Sequence, residues 1–254
     1  MESKHAVLWG AVLVPLMIAG CGPSRSEVVA PKIDKAVTDA YVTGKEDPLG
    51  ARVQLNLDVA KALTGYCNPE TCSGYPGEAN VTTARRTLLE TVLQRGKEAA
   101  AAPAEEAEYR QALITLFTDP AAAQYTDLLS TYAPELVLKA DAAAGTSKDA
   151  DVMTLAGVEL ATGAHVERDA LHATGLFARA WSAGNTGAAR LAEEEFELQG
   201  DLRSAYLWSL RRTNDAKAVL ARQHLQKSVP QGDAGKIELA SKDRSLITYR
   251  PEGA

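Results

Sequence analysis

Apolar residues recur every three or four positions through most of the chain after residue 32, and polar residues fill the positions between them. This spacing brings the apolar side chains onto one side of an α-helix. Gly, Pro and Asp-Pro interrupt the pattern at short intervals, so each predicted helix is short. The predicted helices span 33–42, 49–63, 80–95, 104–117, 121–132 and 134–144.

Composition favours the same fold class. Only 6% of the residues are aromatic, β-branched residues are sparse, and alanine, the best helix former, is abundant throughout. Consecutive short amphipathic helices with few-residue connections are typical of an α-solenoid or a compact helical array. We therefore predict an all-α fold, an α-solenoid-like array of short antiparallel helix pairs.

The segment 229–254 departs from this pattern. Pro230 to Gly235 has the composition of a loop, and two short apolar stretches, 237–240 and 246–249, flank polar residues. Two alternatives stay open for this tail. It forms a small hairpin or extended strand, or it is a free C-terminal tail.

Small residues add a second pattern within 146–228. Glycines at 163, 184 and 200 stand where helices must end. Large and small residues alternate around them in a fixed order, which runs Leu160, Gly163, Val166, Asp169, Ala173, Leu176, Ala180, Gly184 and Ala188, and then Phe196, Gly200, Asp201, Ala205 and Trp208. The segment 156–212 resembles Sel-one-like repeats, relatives of the tetratricopeptide repeat. The resemblance implies a scaffold or adaptor role, which such arrays have in bacterial envelope assemblies.

The N-terminus carries an apolar run from Ala6 to Gly20 that Pro15 interrupts. It is about 15 residues long, whereas a membrane-spanning helix needs about 20. The run ends in Ile18-Ala19-Gly20-Cys21, which resembles the lipobox of bacterial lipoproteins. The resemblance implies a signal peptide at 1–20 and acyl chains on Cys21. With Gly22 next, it also implies an outer-membrane location facing the periplasm.

The remaining cysteines are Cys67 and Cys72, since the chain has three in all. An even remainder in an exported protein predicts a disulfide. A loop this short gains only about 2 kcal/mol from closure in the chain-entropy model. A metal site would need more ligands than are found nearby, and a redox pair is more typically spaced Cys-x-x-Cys.

These observations divide the chain into five predicted segments. They are a signal peptide (1–20), an acylated cysteine and tether (21–31), an N-terminal helical region with the cysteine loop (32–145), the repeat region (146–228) and the tail (229–254).

No reaction is indicated by the motifs. The formal net charge of −6 gives no electrostatic reason to bind nucleic acid. The three Gly-Lys pairs lack the Ser or Thr of a phosphate-binding loop, and the histidines lack metal-site spacing. The run Glu193–Glu195 is interpreted as a solvated helix stretch. We expect no catalysis, no cofactor, no metal and no nucleic-acid partner.

Trp, Tyr and Arg are the usual anchors of protein interfaces. The repeat region supplies four partner-binding candidates, Trp181, Tyr206, Arg211 and Arg212, with both arginines expected to be exposed at the rim of a helical stripe. Trp208 is expected to lie in the core.

The leading hypothesis is a lipid-anchored envelope adaptor that binds a protein partner through this surface, in a secretion, conjugation or polysaccharide-export assembly. The alternatives are an envelope ligand-binding protein or enzyme with a pocket between helices, and an inhibitor or exclusion lipoprotein.

Overall fold

The computed structural model describes residues 25–68, 72–98, 103–121, 124–213 and 216–251. Within these residues there are eleven α-helices and no β-strand, which confirms the all-α fold class. The helices are α1 (Arg25–Thr43), α2 (Pro48–Leu63), α3 (Glu78–Glu98), α4 (Pro103–Thr118), α5 (Thr126–Ala142), α6 (Ala150–Thr162), α7 (Ala170–Ser182), α8 (Ala188–Leu198), α9 (Leu202–Ser209), α10 (Ala216–Ser228) and α11 (Asp233–Ala240).

The chain divides into two compact units between Arg85 and Arg86, a position inside α3. In the first unit, α1 and α2 pack as a pair. The Asp47 side chain accepts a hydrogen bond from the Gly50 amide and caps α2, which begins with Pro48. Four residues therefore suffice to connect the end of α1 to the start of α2.

Helix α1 begins eight residues before the predicted start at Ile33. The predicted tether, 21–31, is therefore wrong for residues 25–31, which form the first two turns of this helix. Sequence reasoning stopped at Pro31 because proline removes a helical N–H. The buried stripe nevertheless extends back past Pro31 to Val29, which is 5% exposed. Packing of this stripe keeps the helix continuous through the proline.

The second unit is built from helices that pack on their neighbours in sequence. Successive pairs contact one another from α4 to α10, and α11 lies against α9. The solenoid-like pairing of helices is thus present, as predicted.

Helix α5 is a single helix, although the sequence predicted two helices separated at Pro134. Its buried side chains continue across the proline, from Leu129 and Ala133 to Leu136 and Ala140. The prediction of a break is wrong because one continuous apolar stripe spans both halves.

Caps recur along this array. Helix α6 ends at Gly163, in a left-handed conformation with φ of 68°. Asp169 and Asp201 cap α7 and α9 by accepting hydrogen bonds from the amides of His172 and Ser204, at 3.0 and 3.1 Å. The glycines predicted to stand where helices end, Gly163, Gly184 and Gly200, each closely follow the end of a helix.

The core of the array depends on small residues that let helices approach closely. A Cβ atom added at Gly157 of α6 would lie 2.5 Å from Cε1 of Phe177 in α7, which is far inside contact distance. Ala173 and Ala180 of α7 and Ala189 of α8 are fully buried. The large ring of Phe177 fits because residue 157 has no side chain.

Both alternatives for the tail are wrong. Residues 233–240 form α11, with Ile237 fully buried, rather than a strand. Residues 241–250, which we call the strap, follow without regular secondary structure but are held against α9 by hydrogen bonds. Sequence patterns missed this because the partners lie about 40 residues earlier in the chain.

No helix among the described residues is both long enough and apolar enough to cross a bilayer. The predicted lipobox and Cys21 lie outside the described residues.

Candidate functional site

Three side chains from α7, from α9 and from the residues just after α9 meet one from the strap. Trp181 of α7 and Trp208 of α9 pack edge to face, with ring centroids 5.5 Å apart and planes at 83°. The Arg211 guanidinium carbon lies 4.5 Å from the Trp208 centroid and 5.1 Å from that of Trp181. Arg244 lies 4.5 Å from the Trp181 centroid. We call these four residues the aromatic–arginine cluster.

Helix α9 positions the cluster. Trp208 is fully buried, as predicted, and Ala205 on the same side of the helix is fully buried too. Arg211 follows the end of the helix, where its amide donates to the Trp208 carbonyl at 3.0 Å. Its guanidinium is therefore held over the two indole rings, an attractive cation–π arrangement.

The strap completes the cluster through its backbone. Trp208 Nε1 donates to the Ile247 carbonyl at 2.8 Å. Arg211 Nη1 and Nη2 donate to the carbonyls of Leu246 and Asp243 at 2.7 and 2.5 Å. The Tyr249 amide donates to Ser204 Oγ at 2.9 Å. Trp208, Arg211 and Ser204 thus bind the main chain of a segment that turns between Asp243 and Leu246.

The environment of Arg211 is unusual for an arginine. Burial lowers its pKa, and the nearby Arg244 acts in the same direction, whereas Asp243 opposes both. Arginine nevertheless stays charged at any accessible pH. A half-buried cation with carbonyl partners is therefore a permanent feature of this face.

Arg212 does not lie at an exposed rim, so that prediction is wrong. Its side chain is 9% exposed, and Nη1 donates to both carboxylate oxygens of Glu193 at 3.0 Å. Glu193 is only 2% exposed, and burial raises its pKa although Arg212 pulls the other way.

The interpretation of Glu193–Glu195 as a solvated stretch is also wrong for its first and last members. Glu195 is 3% exposed and accepts from Arg168 Nη2 at 2.5 Å. Only Glu194 faces solvent, where it pairs with Arg190. Charge composition alone hides such pairs, because the partners come from other elements.

Tyr206, another partner-binding candidate, is 1% exposed. Its hydroxyl donates to Glu238 Oε1 of α11 at 2.8 Å, and burial, with this acceptor, raises its pKa to about 12. Of the four candidates, the structure brings Trp181 and Arg211 together and places Tyr206 and Arg212 in helix packing.

A groove between α5 and the start of α7 was not predicted. It encloses about 720 Å³. Its lining residues are Pro134, Val137, Leu138, Leu160, Val166, Glu167, Arg168, Asp169 and Ala170. Leu138 is 60% exposed and lies in the wall of the groove. In the sequence, Leu138 could be recognised as an apolar residue off the buried stripe of α5. The groove itself could not, because its opposite wall comes from the turn between α6 and α7.

The charged residues of the groove serve the turn itself. Arg168 donates from Nε to the Ala161 carbonyl at 2.8 Å and from Nη2 to Glu195. Asp169 caps α7. Glu167 is the third charged residue of the lining, and the other six lining residues are apolar.

Cys67 and Cys72 form a disulfide, with their Cα atoms 5.7 Å apart, which is the predicted pairing. In the part of the chain that the structure describes, no group of three His, Cys, Asp or Glu residues is arranged to hold a metal ion.

Comparisons with protein-family models, with curated proteins and with solved structures find no significant match to this chain.

Proposed function

We propose that the protein is a lipid-anchored adaptor of the bacterial envelope, which binds a protein partner through its helical array. In this proposal acyl chains on Cys21 hold the chain to the outer membrane, and the body faces the periplasm. The array has a scaffolding role of the kind that the Sel-one-like resemblance implies.

The groove between α5 and α7 is the observation that carries the proposal. Its aliphatic walls and the exposed Leu138 provide apolar surface that a partner can bury. Arg168 and Asp169 are already engaged within the turn, so they provide a polar rim rather than reactive groups. An apolar centre with a polar rim is the usual anatomy of a protein interface.

The groove is tested by affinity capture of the tagged, lipidated protein followed by mass spectrometry. Leu138→Glu places a charge in the apolar wall and is expected to lower recovery of the partner at least fivefold. Leu198→Glu is the matched control, because Leu198 is 77% exposed on α8 and does not line the groove. Equal recovery with both variants and the wild type contradicts a role for the groove.

The anchor is tested separately by membrane fractionation. Cys21→Ser removes the only thiol that the lipobox resemblance offers for acylation, so the protein is expected to leave the membrane fraction. A variant that stays there, together with a wild-type N-terminus that is not shortened to residue 21, contradicts the lipoprotein hypothesis.

A further inference from the structure

We propose that the strap occupies a peptide-binding site, and that a partner's segment that turns as the strap does and carries arginine or lysine can take its place. The site consists of Trp181, Trp208, Arg211 and Ser204, with Asp201 at the start of α9. The inference rests on the proposed adaptor function and gives it a second, occupied surface.

The first argument is that the site binds main chain. It contacts the carbonyls of Asp243, Leu246 and Ile247 and the amide of Tyr249. Every residue of a peptide except proline carries both groups, so any segment that turns in the same way offers them. Main-chain hydrogen bonds that supply affinity, with pockets that supply specificity, are a general mode of peptide recognition.

The second argument is that the strap buries little of its own side chains. Ile247, one of its two aliphatic side chains of this size, is 37% exposed. Asp243 and Ser245 are exposed as well. Its attachment is mainly polar, and water competes for the same groups when it leaves. Such a segment can be exchanged without opening the helical core.

The third argument concerns specificity. The Arg244 guanidinium stacks on Trp181, and Arg250 Nη1 lies 3.1 Å from Asp201 Oδ2. These two contacts are the side-chain features that the site reads. A competing segment therefore carries a cation at the position of Arg244, with arginine preferred because its planar group stacks on indole.

Covalent attachment explains why the site is occupied by the strap. The strap directly follows α11, so its effective concentration at the site is on the order of millimolar. A free peptide at micromolar concentration cannot compete with it, whereas a partner that is also held elsewhere on the array can. The groove between α5 and α7 offers such a second contact.

The test uses the full chain with residues 241–251 replaced by glycine and serine at unchanged length. A fluorescent peptide of sequence SKDRSLITYRP, residues 241–251, is titrated while its anisotropy is measured. The replaced chain is expected to bind at least tenfold more tightly than the wild type. Equal binding by both chains, or no binding by a replaced chain with native circular dichroism, overturns the inference.

Two altered peptides separate main-chain from side-chain recognition. Arg244→Glu is expected to weaken binding at least fivefold, because it removes the cation over Trp181. Ile247→Ala is the matched control and is expected to bind within about twofold, because the bound carbonyl is retained. The reverse order of effects overturns the proposed recognition.

Hydrogen exchange in the wild type covers the case in which the replaced chain does not fold. The Tyr249 amide is expected to exchange at least tenfold faster than the Ala205 amide within α9. Equal protection shows that the strap opens only when α9 unfolds, which overturns the inference. Loss of peptide binding with groove-dependent capture intact leaves the adaptor proposal standing.

Discussion

The strapped face of α9 and the groove between α5 and α7 are two surfaces of one helical array, and they differ in what covers them. On the first, aromatic rings and a half-buried guanidinium bind the backbone of the chain's own C-terminal segment. On the second, an aliphatic wall with a largely exposed leucine stays open. The polar groups of the first surface are hydrogen-bonded within the chain, whereas the apolar wall of the second remains exposed.

The difference has a physical reason. A buried indole N–H or guanidinium without a partner costs free energy, so a face that carries both needs acceptors at all times. An exposed aliphatic side chain carries a much smaller penalty. The strap supplies these acceptors in the folded chain, whereas the apolar groove needs no such partner.

The largest expected effect is at the centre of the strapped face. Trp208→Ala removes a fully buried indole and leaves the Ile247 carbonyl without its donor, so the free energy of unfolding should fall by about 3–5 kcal/mol. Urea titration followed by circular dichroism measures this. A loss below about 1 kcal/mol would mean that the two faces differ little in energy.

Arg212→Ala should be nearly as costly, because it leaves the buried Glu193 carboxylate unpaired. We expect a loss of about 3 kcal/mol in urea titration. Arg190→Ala is the control: its exposed pair with Glu194 should contribute less than about 0.5 kcal/mol. Equal effects of the two substitutions would show that the burial of Glu193 does not matter.

Arg211→Ala should lower the free energy of unfolding by about 2 kcal/mol, since charged hydrogen bonds to the strap are lost. It should also raise the exchange rate of the Tyr249 amide. Arg211→Lys should restore little of either, because a lysine cannot fork between two carbonyls while stacking on indole. If Arg211→Lys restored both the stability and the protection of the Tyr249 amide, the positive charge alone would account for the loss in Arg211→Ala.

Tyr206→Phe should cost about 1 kcal/mol at pH 7 through loss of the hydrogen bond to Glu238. The folded-state pKa of Tyr206 is raised to about 12, above the ordinary value near 10. Its contribution is therefore present below pH 10 and is lost as pH rises through 12. Stability measured from pH 8 to 12 should show the wild type losing its advantage over this variant. A constant difference would contradict the raised pKa.

The smallest effect is expected in the groove. Leu138→Ala should change the free energy of unfolding by less than about 0.5 kcal/mol, because the side chain is already 60% exposed. Leu136→Ala on the buried side of the same helix should cost about 2–5 kcal/mol. A large loss at Leu138 would make the groove part of the core.

Local patterns predicted the fold class and several helix ends between residues 146 and 228. Gly163 and the aspartates at 169 and 201 end or begin helices through contacts within a few residues, so their roles are visible in the sequence. Pro31 and Pro134 misled because tertiary packing keeps α1 and α5 continuous through them.

The candidate site was harder to predict because its partners are distant in sequence. Trp208 was expected in the core, but its acceptor at Ile247 lies 39 residues away. In the sequence, Glu193 and Arg212 each have the pattern of a solvated charge. In the fold, α8 and the residues after α9 place them in contact. The groove likewise forms between α5 and a turn that lies about 30 residues later in the sequence.

The early start of α1 sets a distance from the membrane for an acylated chain. If Cys21 carries the acyl chains, only four Cα–Cα steps join it to Arg25, where the helix begins. Four extended steps reach at most about 14 Å. This reach is shorter than two helix diameters. The N-terminal end of α1 would therefore lie close to the lipid headgroups. The first turn of α1 would then be within reach of the lipid headgroups, and substitutions there would be the ones most sensitive to lipid composition.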